Sequence, residues 1–195
     1  MKKKLLALAL FASSSTVFAQ AANFEGFTAG INVSSIGAST SMTVDGDRVS
    51  FGQQNFVPSV ELGYNYAATK EIVLGLTATY DFTKTNAGEL GPNYTAQLEN
   101  RYSINFKPGY AVSQNALVYA TVGYNSGTGK ITNVDGTKTF TGIGYGFGTA
   151  LMIDKNIFIK AEVQRIDFDS QSAFGDVLNV KPSATVGTIG IGYKF

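Results

Sequence analysis

The chain ends in TIGIGYKF, residues 188–195. Ile189, Ile191, Tyr193 and Phe195 alternate with Gly190, Gly192 and Lys194, a repeat of two that places all the apolar side chains on one face of a strand. Chain ends ordinarily fray into polar residues, yet this one stops in mid-pattern on an aromatic. A final strand of this kind needs a partner for its backbone and an apolar surrounding for its rings.

The same repeat runs through most of the chain beyond residue 23. Seven earlier segments carry it: 24–34, 56–66, 71–83, 95–110, 116–126, 140–152 and 157–167, with 184–195 as the eighth. In 56–66, Pro58, Val60, Leu62, Tyr64 and Tyr66 oppose Ser59, Glu61, Gly63 and Asn65. In 95–110 only Asn100 interrupts the apolar face. In 140–152 the face opposite Ile143, Tyr145, Phe147 and Leu151 carries Gly142, Gly144, Gly146 and Gly148, which leaves room for a large neighbour such as Tyr119 or Arg101.

The connections alternate in length. Residues 35–55, 84–94, 127–139 and 168–183 read as long loops, and 67–70, 111–115 and 153–156 as short turns. Consecutive antiparallel strands joined in this way gather every long loop at one end and both termini at the other. The expected fold is therefore all-β: an eight-stranded antiparallel up-and-down transmembrane β-barrel. Val44-Asp45-Gly46 and Val134-Asp135-Gly136 carry the Asp-Gly signal of a tight hairpin, so two of the long loops are expected to project as hairpins. Asp45 and Asp47 would supply only two of the six to eight ligands of a calcium site, which is weak evidence for one.

Barrel size decides which face points out. The apolar face carries rings on nearly every strand, among them Phe27, Tyr64, Tyr80, Phe106 and Tyr124. An eight-stranded barrel is only just wide enough to be filled by side chains. The rings therefore face lipid, and the Gly, Ser, Thr and Asn face lines the lumen. Glu61, Asp81, Glu99, Arg101, Lys107, Lys160 and Glu162 fall on that inner face. Unpaired charge there would carry a large desolvation cost, so Glu61, Glu99, Arg101, Lys107, Lys160 and Glu162 are expected to form a lumen ion-pair network, with Glu61, Arg101, Lys107 and Glu162 as the group that plugs the lumen. A narrow ion path tuned by the same charges is the alternative.

The N-terminus resembles a secretory signal peptide. Lys2, Lys3 and Lys4 precede an apolar run from Leu5 to about Ala12. Val17-Phe18-Ala19 and Ala19-Gln20-Ala21 both suit cleavage, which gives a leader over 1–19, a cut after Ala19 or Ala21, and a barrel domain over 22–195. Without residues 1–19 the chain has 12 basic and 14 acidic residues, no footprint for nucleic acid. Charged residues make up 15% of the sequence, against about 25% in soluble domains, and no apolar run is long enough for a membrane-crossing helix.

Chemistry is sparse. With no His and no Cys, a His-dependent triad, a thiolate nucleophile and the usual zinc ligands are excluded. No cofactor or metal is implied and no enzyme is expected. SGTGKIT at 126–132 lacks the leading Gly and the final Ser or Thr of a phosphate-binding loop. Residues 142–148, GIGYGFG, are a repeat of two rather than a dinucleotide motif.

Gly192-Tyr193-Lys194-Phe195 resembles the C-terminal assembly signal of Gram-negative outer-membrane proteins. Together with the leader, the chain over 22–195 resembles the small OmpA/OmpX-like outer-membrane β-barrel family, in pattern more than in fixed motifs. No length remains after the eighth strand for the peptidoglycan-binding domain of full-length OmpA. The resemblance implies export through the periplasm to the outer membrane. It also implies recognition of Tyr193 and Phe195 by the barrel-assembly machinery. The chain is expected to act as a monomer in outer-membrane lipid, in a structural or surface-interaction role. Its four long loops would meet an extracellular partner that their composition does not identify. The alternative role is a narrow porin-like channel for ions or small solutes.

Overall fold

The computed structural model describes residues 20–44, 47–83, 85–91, 94–131, 137–169, 171–173 and 178–195. A 3₁₀ turn, Gln20–Phe24, precedes ten strands: β1 Gly26–Val44, β2 Asp47–Ala67, β3 Ile72–Asp81, β4 Thr85–Gly91, β5 Tyr94–Ala111, β6 Ala116–Ile131, β7 Thr137–Met152, β8 Ile157–Phe168, β9 Gln171–Ala173 and β10 Leu178–Lys194. All but β4 and β9 follow one another as antiparallel neighbours, and β1 pairs with β10 from Thr28↔Lys194 to Ser41↔Lys181. The result is a closed eight-stranded barrel. The short strands β4 and β9 extend the ladder beside β5 and β10.

The repeat of two is realised as inside and outside. On β2, Phe56, Leu62, Tyr64 and Tyr66 are exposed, while Val57, Ser59 and Glu61 are buried. On β6, Val118, Val122 and Tyr124 are exposed and Tyr119, Thr121 and Asn125 buried. From Phe56 to Tyr66 β2 climbs about 33 Å at about 3.3 Å per residue, and a tilt of about 40° converts that to about 25 Å, the height of an outer-membrane apolar band.

The terminal strand keeps its partners to the last residue. The Phe195 N–H donates to the Phe27 carbonyl at 2.9 Å, and the Lys194 N–H to the Asn156 carbonyl at 2.7 Å. The rings of Tyr193 and Phe195 meet edge to face at 5.1 Å on the outer surface, near the Phe27–Tyr64 ring pair. A strand can end flush with the membrane in this way because its neighbours satisfy its backbone and lipid accepts its rings.

The long-loop spans and the N-terminal boundary differ from the sequence reading. The span 35–55 is not a loop: β1 and β2 stay in register until Val44 pairs with Asp47. Likewise β4 fills most of 84–94, β6 and β7 stay paired within 127–139 as far as Lys130↔Thr137, and β9 with the first part of β10 occupies much of 168–183. The hydrogen-bond ladder continues where the outward apolar pattern stops: past Val33 the next large apolar residue, Ile36, turns inward. At the other end, the segment read as a strand from residue 24, and the domain as starting at 22, begins with a 3₁₀ turn from Gln20. The leader over 1–19, Asp45-Gly46 and Val134-Asp135-Gly136 lie outside the described residues.

Asn100, which interrupts the apolar pattern, has φ of 50° and sits where β5 slips by one residue against β6. Asn tolerates this left-handed conformation, and its side-chain oxygen accepts from the Tyr80 hydroxyl at 3.3 Å. Gly26 has φ of 130°, and a Cβ there would lie 2.9 Å from the Phe195 carbonyl oxygen. Gly187 faces outward with nothing within 4 Å of such a Cβ. Gly26→Val is therefore expected to destabilise the refolded barrel by about 1–3 kcal/mol. Gly187→Ala should stay within about 0.5 kcal/mol of the parent. Urea unfolding followed by heat-modifiable gel mobility measures both.

Candidate functional site in the barrel lumen

The lumen is layered. At the short-turn end Ala21 and Phe24 from the 3₁₀ turn enter the barrel and pack with Val73, Ala111, Leu117, Tyr119 and Ala150. At the long-hairpin end Ile36, Val57, Ile166, Phe168, Ala184 and Val186 form a second apolar cluster, with Phe140 against it. These inward apolar residues break the expectation of a small, polar interior. They sit where a barrel mouth would otherwise admit water, and there apolar contact excludes it.

Between the two clusters lie the charges. Lys107 on β5 places its Nζ 3.1 Å from Glu61 Oε2 on β2 and 2.9 Å from Glu162 Oε2 on β8. Lys160 on β8 reaches Glu61 Oε1 at 2.6 Å. Thr79 Oγ1 donates to Glu61 Oε2 at 3.3 Å. Neither β5 nor β8 adjoins β2 in the sheet, so the ion pairs cross the lumen rather than run along the wall. Two ammonium groups balance two carboxylates. The Tyr119 ring links this layer to the apolar cluster below it, with Lys107 Nζ 5.3 Å from its centroid, within reach of a cation–π attraction.

Arg101 is not part of this quartet. It bonds through Nε to Asp81 on the adjacent strand β3. The sequence places both on the inner face but leaves their relative height open. Strand tilt and the slip at Asn100 bring Arg101 to Asp81 instead of to Glu61. Lys160, placed in the network from the sequence, is one of its members through Glu61. Glu99 lies beside Arg101 on the lumen side of β5 and is half-buried. Tyr193 and Phe195 lie at the opposite radial position, on the outer surface of β10.

A polar layer accompanies the charges. Gln164 Nε2 donates to Asn105 Oδ1 at 3.1 Å, Asn105 Nδ2 donates to Ser103 Oγ at 2.9 Å, and the Ser34 and Thr188 hydroxyls lie 2.8 Å apart. The glycines of β7 make room for it. A Cβ on Gly144 would lie 2.6 Å from Asn125 Nδ2 and from Gln164 Nε2, and one on Gly148 would lie 2.6 Å from the Tyr119 ring. Asn32 Oδ1, Thr77 Oγ1, Thr121 Oγ1 and Asn125 Nδ2 are buried without a protein partner, the kind of group that ordered internal water satisfies. Among the described residues no cluster of three or more acidic, His or Cys side chains could hold a metal ion.

A family model described as "Outer membrane protein beta-barrel domain" matches residues 5–195. None of the curated proteins matches the chain. Among solved structures, Neisserial surface protein A resembles it with a TM-score of 0.55 at 16% identity, over 87% of this chain and 97% of that one. Ail, the attachment invasion locus protein of Yersinia pestis, gives 0.53 at 18% identity, over 88% and 99%. The outer membrane protease OmpT of Escherichia coli gives 0.50 at 11% identity, over 96% and 100%. At these identities the likeness is one of fold.

Removing one partner from a buried ion-pair network leaves a charge uncompensated, at a cost of about 3–5 kcal/mol. Lys107→Met is expected to destabilise the refolded barrel by that amount, because Glu162 loses its ammonium partner. Adding Glu162→Gln removes the stranded charge and should recover part of the loss. A double variant destabilised in urea by the sum of Lys107→Met and Glu162→Gln measured singly would show that the two groups are not coupled.

Proposed function

Because the chain belongs to the outer membrane protein beta-barrel domain family, we propose that it is a non-enzymatic barrel of the Gram-negative outer membrane whose hairpin ends act at the cell surface. The lumen serves as an internal brace. The observation that carries this reading is the closure of the lumen: an apolar cluster at each end, with the ion-pair quartet between them. Apolar clusters at both mouths argue against a continuous aqueous path. The leader directs export through the periplasm, and the terminal strand with Tyr193 and Phe195 is the feature offered to the barrel-assembly machinery.

The hairpins carry the surface role. β1 and β2 remain paired well beyond residues 34 and 56, to Val44 and Asp47, which extends the ladder past the apolar band. Ail has been solved in complex with the heparin analogue sucrose octasulfate. That makes a sulfated glycan a reasonable first ligand to assay here, although the hairpins of this chain carry no dense basic patch. OmpT is a protease, whereas this chain has no His for a His-dependent mechanism.

The narrow channel is the second reading, favoured only by the polar middle of the lumen. Planar-bilayer recording of the refolded barrel separates the two. Silence from heat-modifiable protein is expected, and discrete reproducible steps would overturn the closed-lumen reading. In parallel, replacing residues 40–51 by a short turn should leave the barrel folded and reduce adherence of expressing cells to host cells or heparin. Unchanged adherence would remove this hairpin from the role.

A further inference from the structure

The 3₁₀ turn decides between the two candidate processing sites. Ala21 is wholly buried and Phe24 is 3% exposed, both within the apolar cluster that closes the short-turn mouth. The turn is tied to the barrel by three hydrogen bonds. The Ala21 N–H donates to the Lys70 carbonyl at 3.0 Å, Asn65 Nδ2 donates to the Phe24 carbonyl at 3.1 Å, and Asn23 Nδ2 donates to the Gln114 carbonyl at 3.0 Å. Lys70 and Gln114 belong to two different short turns, so the segment bridges them as a wedge. Gln20, by contrast, is only partly covered.

We infer that export cleaves the Ala19–Gln20 bond and that the new N-terminal segment, Gln20–Phe24, is the wedge that closes the periplasmic mouth. In the cleavage, water adds across the amide. Ala19 leaves as the carboxylate of the released leader, and Gln20 keeps the nitrogen as an α-ammonium. The catalyst is an export endopeptidase that reads small residues at the first and third positions before the bond, here Ala19 and Val17. Cleavage after Ala21 would delete a wholly buried side chain and the N–H that satisfies Lys70. Cleavage after Ala19 keeps both and leaves the charged terminus at a position that water reaches. The wedge is thus complete as soon as the leader is removed.

The test is the intact mass of the heat-modifiable barrel recovered from the outer membrane of a Gram-negative host expressing the full chain. The mass of residues 20–195 is expected, or that mass less one ammonia where the terminal Gln has cyclised. A mass of residues 22–195 would overturn the inference alone. An unprocessed chain starting at Met1 would overturn it together with the export reading on which it rests, whatever the lumen proves to conduct. Val17→Lys puts a charge three residues before the inferred bond and five before the alternative, and it should abolish processing; normal processing of this variant would contradict the assignment. Finally, a refolded chain starting at Ala22 should unfold about tenfold faster than one starting at Gln20, since it lacks the Ala21 hydrogen bond and packing. Equal rates would remove Ala21 from the wedge.

Discussion

Within a bilayer no water is available to the backbone, so every N–H and C=O that enters must find its partner in the chain. For strands that condition is met only by closure. Here closure is the β1–β10 ladder, from Thr28↔Lys194 to Ser41↔Lys181. Its two strands lie at opposite ends of the sequence, so the barrel has no finished edge until the last residues are paired. Much of the lower rim is arranged around that seam. Gly26 gives way to the Phe195 carbonyl, Asn156 Nδ2 caps the Lys194 carbonyl at 2.6 Å, and Tyr193 and Phe195 turn outward beside Phe27.

Closure with eight strands fixes the radius, and the radius fixes the interior. A lumen this narrow is filled by side chains alone. Charges placed there lose their hydration and can be kept only in balanced, hydrogen-bonded groups. The quartet of Glu61, Lys107, Lys160 and Glu162 meets that condition by spanning the lumen between non-adjacent strands. The apolar clusters above and below shield it from bulk water. Phe24, Phe168 and Ile166 are as much a part of the ionic site as the carboxylates, because without them water would screen the pairs.

The alternation of apolar and small residues made the membrane-spanning portion of each strand legible, because one face must meet lipid and the other a crowded interior. Leu62 and Glu61, or Val122 and Thr121, are sorted correctly by parity alone. Parity is silent in three places. It does not report the strand extension past residue 34 or before residue 56, because the apolar residues there no longer keep to the outer face: Ile36 on β1 is buried in the lumen cluster. It does not rank lumen residues by height, which is why Arg101 was grouped with Glu61 when tilt and the slip at Asn100 deliver it to Asp81. Nor does it flag Ala21 and Phe24, a short apolar turn with no repeat. The one signal available for that turn was a Phe adjoining a leader that ended before it. The inward Val57, Leu117, Ile166 and Val186 fall on the small, polar face by parity and were missed, because their clustering at the two mouths depends on register.

The central claim is that the middle of the barrel is cut off from water on both sides. The parent chain has no Cys, so Thr121→Cys introduces a single thiol at a position that is 2% exposed in mid-lumen. Its reaction with a small water-soluble thiol reagent, added to either side of barrels oriented in liposomes, measures access directly. The account predicts no modification of the folded barrel from either side and complete modification in urea. Modification of the folded barrel at a rate near that of an exposed thiol would contradict it and would mean that the lumen is open.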